Sequence, residues 1–184
     1  PGIGKTSATL KIVKDMIENN PDNDDVYVFF SLEMPEEDIH EKWVQLVSEN
    51  SPLADRLYVI GNEDDTGEPR NIGIQEVYDY VADIKKATGK SIGCVASDHI
   101  GILSKVIDMT KKYTFGVQEE QFGGYGNIRT LSLNTLCTQM KPLAKMLDTF
   151  LIVLTQTTKS KGIGEIPIEK DGAYGISQYE NIMD

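Results

Sequence analysis

Apolar positions along the chain follow two alternating patterns. After Thr6, residues Ala8, Ile12, Val13, Met16 and Ile17 recur at the spacing of one helix face. Asn19-Asn20-Pro21 closes that helix. Val26 to Leu32 is a short, nearly unbroken apolar run rich in β-formers, which predicts a strand buried on both faces. Pro35 then precedes Glu36, Glu37 and Asp38, and negative charge suits the first turn of a helix, here expected to reach Val47. Leu57 to Ile60 predicts a second strand, and the acidic, turn-rich residues Asn62 to Asn71 a loop. Ile74, Val77, Tyr78, Val81 and Ile84 form a helical stripe that closes near Gly89, and Ile92 to Ser97 predicts a third strand. Ser104 to Thr130 is irregular and carries Gly116, Gly123, Gly124 and Gly126 among aromatic residues. A loop of that length in a compact domain is usually functional or disordered. Leu136, Met140, Leu143, Ala144 and Leu147 predict a helix with Pro142 inside it, Phe150 to Thr155 a fourth strand, and Ser177 to Asp184 the opening of a last helix. The stretch Thr158 to Gly175 is loop-like. Strands alternating with helices predict a parallel α/β sheet.

A chain of 184 residues fits one domain. Cys94, Cys137, His40 and His99 make no ligand cluster, which argues against structural zinc. No run of 18 apolar residues is present, so no membrane span is expected, and no signal peptide opens the chain. These features together predict a reducing cytoplasm. The net charge of −11 opposes wholesale coating of nucleic acid, but it is unevenly spread. Asp15 to Asp79 holds 18 acids and three bases, whereas the remainder holds 11 acids and 15 bases. Solvated helices account for such an acidic run in the ordinary case.

Four short signals carry chemistry. The chain opens Pro1-Gly2-Ile3-Gly4-Lys5-Thr6, and Gly4-Lys5-Thr6 supplies the last three positions of the phosphate-loop pattern G-x-x-x-x-G-K-[ST]. The amides of such a loop and of the helix it feeds cradle phosphate oxygens. Lys5 then reaches the β- and γ-phosphates and the Thr6 hydroxyl binds Mg²⁺. Asp98 ends the third strand, at the sheet edge where α/β proteins bind ligands, and a carboxylate there suits Mg²⁺. Glu33 follows Phe29-Phe30-Ser31-Leu32, placed to deprotonate a water that attacks a γ-phosphate. Gln156 ends the fourth strand in Leu154-Thr155-Gln156-Thr157. Each has an ordinary structural explanation when taken singly, as a turn glycine, a capping acid or a hydrogen-bonded strand-end amide.

Their order along the chain resembles the RecA-like motor domain of DnaB-type replicative helicases and phage primase-helicases. Pro1 to Leu10 resembles that family's phosphate loop, and Phe29-Phe30-Ser31-Leu32-Glu33-Met34 the strand bearing its catalytic glutamate. Asp98-His99-Ile100-Gly101-Ile102-Leu103 resembles the Walker B strand of the phage branch, and Met140 to Gln156 the helix and glutamine-ended strand. Gly172-Ala173-Tyr174-Gly175 to Asp184 resembles the segment after the second DNA loop. The resemblance implies a RecA-like P-loop NTPase with a mainly parallel sheet flanked by helices, present here as a partial domain over 1–184 that lacks its first, central strand. It implies ATP and Mg²⁺ as cofactors, with Gly2, Gly4, Lys5, Thr6 and Ser7 on the nucleotide and Thr6 and Asp98 on the metal. Glu33 becomes the general base and Gln156 the sensor that links γ-phosphate to DNA.

The irregular stretches 104–130 and 158–175 fall where the family's DNA loops lie. Lys105, Lys111, Lys112, Arg129, Lys159, Lys161 and Lys170 then meet single-stranded DNA phosphates, and Tyr113, Phe115, Phe122 or Tyr125 stack on bases. A homo-oligomer, a hexamer in the family, is implied, in the cytoplasm of a bacterial or phage-infected cell. The family's arginine and lysine fingers come after the last residue here, so none is assigned. On this reading the natural protein extends at both ends, the chain alone hydrolyses ATP poorly, and loss of an internal strand leaves two unpaired edges in mid-core. A recombinase or circadian-clock-type ATPase shares the fold. A nucleotide-gated binding module and a small-molecule kinase are readings of other functional classes.

Overall fold

The computed structural model describes residues 4–64, 66–98 and 128–154, with backbone alone over 128–136. In chain order it contains α1 (Lys5–Glu18), β1 (Val26–Ser31), α2 (Glu36–Val47), a short 3-10 turn (Ala54–Arg56), β2 (Leu57–Gly61), α3 (Ile74–Thr88), β3 (Ile92–Asp98), α4 (Ile128–Leu147) and β4 (Phe150–Leu154). The four strands form one parallel sheet in the order β2-β1-β3-β4.

Strand alternation divides the core in two. Val26, Val28 and Phe30 of β1 face one side, where they meet Val77 and Val81 of α3 and Cys137, Leu143 and Leu147 of α4. Tyr27 and Phe29 face the other, where they meet Leu10, Val13 and Ile17 of α1 and Ile39 and Trp43 of α2. A strand whose six residues are all buried needs apolar side chains on both faces, which is why β1 reads as a continuous apolar run. The Trp43 indole N–H donates to the Ala54 carbonyl at 3.2 Å, so the largest side chain in the core keeps its polar end satisfied. The expected last strand residues and helix ends agree with the structure to within a residue or two, including the Gly89 stop of α3, where φ is 67°.

Gly93 sets the register of β3. Val26 pairs with Ile92 and Tyr27 with Cys94, so the register shifts there and Gly93 is left between them. A Cβ on Gly93 would lie 2.7 Å from the Tyr27 ring, closer than real side chains approach. Such an extra residue reverses which side chains face which layer. Beyond it, Ser97 lines the α3/α4 layer beside Ile74 and Met140, and Asp98 turns to the α1 layer. Gly93→Ala is expected to lower the unfolding free energy by about 1–3 kcal/mol through this overpacking. Urea denaturation checks it, with an unchanged midpoint as the contrary result.

Two expectations are corrected. The sheet has no gap in its middle, because β1 and β3 pair directly and β3 pairs with β4. Among the described residues the free edges are the outer strands β2 and β4, where Tyr58 and Phe150 are exposed. Second, α4 begins at Ile128, eight residues before Leu136, so the last three residues of the 104–130 stretch, Arg129 among them, have helical backbone. Ser132, Asn134 and Thr135 are weak helix formers and mask that start in the sequence. The helix continues through Pro142.

Both cysteines are buried, one in each layer. Burial pushes the Cys94 thiol up to about 12 and the Cys137 thiol up to about 11. Both therefore stay neutral and unreactive near neutral pH. Among the described residues no helix is long and apolar enough to cross a membrane.

Candidate active site

The candidate residues gather at the carboxyl edge of the sheet, on the α1 and α2 side. Gly61, Ser31, Asp98 and Leu154 stand in one row across the four strands, joined by the pairings Ser31 with Gly61, Ser31 with Asp98 and Asp98 with Leu154. The chemical groups of the site sit on that row or in the turns that leave it.

Gly4 precedes α1 with φ 75° and ψ 18°, a left-handed conformation that glycine adopts at no steric cost. Nothing lies within 4 Å of where its Cβ would be, so the requirement is conformational. The Gly4 carbonyl accepts from the Ala8 amide at 2.8 Å and starts the helix. Among the described residues no side chain caps this N-terminus, and no acid of the helix stands in its first turn. A helix N-terminus of this kind, with its free amides and positive dipole end, suits an anion such as a phosphate. Lys5 and Thr6 are half-buried and Ser7 is exposed in that first turn.

Thr6 Oγ1 donates to Asp98 Oδ2 at 2.7 Å, across 92 residues of sequence. Asp98 is 4% exposed, and its other oxygen, Oδ1, is buried with no donor reaching it among the described residues. An ionised carboxylate with one unsatisfied oxygen is costly unless a cation or its water shell completes it. One hydroxyl and one carboxylate, both hard oxygen donors, fit Mg²⁺, which takes few protein ligands and keeps waters and phosphates. Among the described residues no cluster of three or more His, Cys, Asp or Glu forms a metal cage, and a Mg²⁺–nucleotide site needs none.

Glu33 leaves the row two residues after Ser31. The Leu32 amide still donates to the Asp98 carbonyl at 3.0 Å, so the segment carrying Glu33 is hydrogen-bonded to the residue carrying the candidate metal ligand. The Glu33 side chain is exposed. It lines an open cleft of about 530 Å³ between the β1–α2 turn and the loop after β2, with Met34, Glu36, Gly61, Asn62 and Glu63. The acidic stretch foreseen from the sequence therefore includes this cleft as well as solvated helix surface. Within it Asp64 serves the loop itself: it accepts from the Thr66 hydroxyl and from the Thr66 and Glu68 amides, which hold its carboxyl below the usual range.

Thus Gly4, Lys5, Thr6, Ser7, Glu33 and Asp98 all lie at this edge. Gly2, Gln156, Lys105, Lys111, Lys112, Lys159, Lys161 and Lys170 lie outside the described residues, and of Arg129 only the backbone is described, in the first turn of α4. Ser31 and Glu36, which the sequence offers only as a strand end and a helix-start charge, also belong to the site. Ser31 Oγ donates to the Met34 carbonyl at 2.7 Å, and Glu36 Oε2 accepts from the Gly61 amide at 3.1 Å.

No family model matches the chain, and no curated protein matches it by sequence. Solved structures do match. The chain is similar to a solved ATPase domain over 99% of its own length and 63% of that chain, with a TM-score of 0.64 and 18% identity. It is similar to a DnaB-like replicative helicase, described with its interactions with primase, over 99% of its length and 43% of that chain, with a TM-score of 0.64 and 17% identity. The chain therefore spans less than two thirds of either protein. Its architecture, a parallel sheet between helix layers with a glycine-led α1 facing a strand-end aspartate, is the RecA-like α/β fold of the ATPase domains of DnaB-type helicases.

Proposed function

We propose that this chain is the ATP-binding part of an oligomeric, Mg²⁺-dependent motor that moves on single-stranded DNA, as a replicative helicase does. The observation that carries the nucleotide reading is the Thr6–Asp98 hydrogen bond at the N-terminus of α1, with Asp98 Oδ1 buried and without a partner among the described residues. Buried polar atoms usually have a partner, and Mg²⁺ or its water shell would supply one to Asp98 Oδ1.

In this reading Gly4 and the first turn of α1 orient the phosphates, and Lys5 offsets their charge. Thr6 and Asp98 would hold Mg²⁺, which would supply charge neutralisation to the bound phosphates. Glu33 takes a proton from the water that attacks the γ-phosphorus, the bond to the β–γ bridging oxygen breaks, and ADP and phosphate leave. Gln156 couples that event to DNA. Lys105, Lys111, Lys112, Arg129, Lys159, Lys161 and Lys170 meet the DNA backbone. A ring of six copies in the cytoplasm of a bacterial or phage-infected cell is the expected assembly.

Calorimetric titration with ATP, with Mg²⁺ and then with excess EDTA, tests the nucleotide site. Binding that weakens at least tenfold on metal removal is the expected result, since Mg²⁺ held by Thr6 and Asp98 would offset phosphate charge. Equal affinity with and without metal would count against it.

A further inference from the structure

We infer that Ser31 and Glu36 are positioning residues for Glu33, and that together they hold the turn 32–35 in the shape that hydrolysis requires. The inference rests on Glu33 as the general base and names what aims it. Glu33 is exposed, so no packing around its side chain fixes its place. What fixes it is its backbone, pinned at three points. At the near end, the Leu32 amide donates to the Asp98 carbonyl at 3.0 Å. Across the turn, the buried Ser31 hydroxyl donates to the Met34 carbonyl at 2.7 Å, spanning Leu32 and Glu33. At the far end, Glu36 in the first turn of α2 accepts from the Gly61 amide at 3.1 Å and ties the turn to the end of β2.

The fit is close at that far end. A Cβ on Gly61 would meet the Glu36 Cβ at 3.3 Å, so glycine lets the helix start approach the strand. Ser31 pairs with both Gly61 and Asp98, and the three ties therefore converge on one strand end. Hydrogen bonds of this kind contribute modestly to stability, and a displaced base costs far more in rate than in folding. A turn that carries an exposed base between two clamps, one to the residue bearing the metal carboxylate, is built for aim.

The test is steady-state ATP hydrolysis by the longest natural chain carrying this sequence, with single-stranded DNA present, read beside ATP affinity and thermal midpoint. Ser31→Ala and Glu36→Ala are each expected to lower kcat by about ten- to a hundredfold, as for a misplaced catalytic group, with ATP affinity within about twofold. Glu36→Gln keeps an oxygen that accepts the Gly61 amide, and it is expected to retain kcat within about twofold of wild type. Glu33→Gln runs alongside. Should it abolish turnover while Ser31→Ala and Glu36→Ala proceed at the wild-type kcat, the positioning role is overturned and the base stands. A Glu33→Gln protein that turns over normally removes the base, and the positioning role with it. Loss of ATP affinity in proportion to kcat, or equal damage from Glu36→Gln and Glu36→Ala, would reduce both residues to structural supports. Glu36 keeps the question open to a clear answer even where Ser31→Ala fails to fold.

Discussion

Asp98→Asn is expected to lower Mg²⁺-dependent ATP hydrolysis by roughly a hundredfold or more, a loss of about 3 kcal/mol of charge stabilisation at the phosphates. The geometry explains why so small a change is felt. The asparagine side chain would keep an oxygen able to accept from Thr6 Oγ1, so the hydrogen bond at 2.7 Å and the local fold survive. What the change puts at the other position is an amide –NH₂, two donors where Asp98 Oδ1 now stands buried with no donor among the described residues. A donor at that position repels a cation and its water shell. The variant should therefore fold, keep its thermal midpoint within a few degrees, and lose the effect of Mg²⁺ on ATP affinity. Calorimetry with and without Mg²⁺ distinguishes this from unfolding. A variant that binds Mg²⁺–ATP as wild type does would mean that the unsatisfied oxygen faces something other than a metal.

Glu33→Gln is expected to lower kcat by roughly 10²–10⁴-fold, the usual contribution of a positioned general base. Its side chain is exposed and makes none of the hydrogen bonds that hold the turn, so stability should change by less than about 0.5 kcal/mol, as for ordinary surface sites. ATP binding should be unaffected or slightly tighter, since a negative charge near the phosphates is removed. The pattern expected is full occupancy of the site with arrested chemistry. Rapid-quench measurement of a single turnover reads it directly. Hydrolysis at the wild-type rate would assign Glu33 to the acidic cleft alone, beside Glu36 and Glu63. It would also favour a nucleotide-gated binding module, in which ATP acts as a clamp.

Much of this site is legible in the sequence for a simple reason. Helix and strand periods, glycine at a helix start and acids at strand ends are local signals, and each is decided by residues close in the chain. Gly4-Lys5-Thr6 before an amphipathic helix, and Asp98 after a buried apolar run, are of that kind. Their meeting is not. The Thr6–Asp98 bond depends on the register of β3, which turns on one glycine pressed against Tyr27. A sequence reading sees Gly93 as a small residue in a strand and cannot tell that it faces Asp98 toward α1. Strand order is similarly non-local. The apolar runs give four strands, whereas their order β2-β1-β3-β4, with β3 paired directly to β4 and no mid-core gap, emerges only from packing. Ser132, Asn134 and Thr135 conceal the start of α4, because their weak helix propensity is overridden in the fold. Ser31 and Glu36 escape a sequence reading because a hydroxyl at a strand end and an acid at a helix start have ordinary local uses. Only the shape of the turn shows that they hold the segment carrying Glu33 from both sides.

The most direct test of the motor reading is the ATPase rate of the longest natural chain carrying this sequence, with and without single-stranded DNA, beside its Glu33→Gln variant. The expected result is a rate raised severalfold or more by DNA and abolished by the substitution. A rate that Glu33→Gln abolishes but DNA leaves unchanged would contradict translocation on DNA and leave a RecA-like ATPase of another kind.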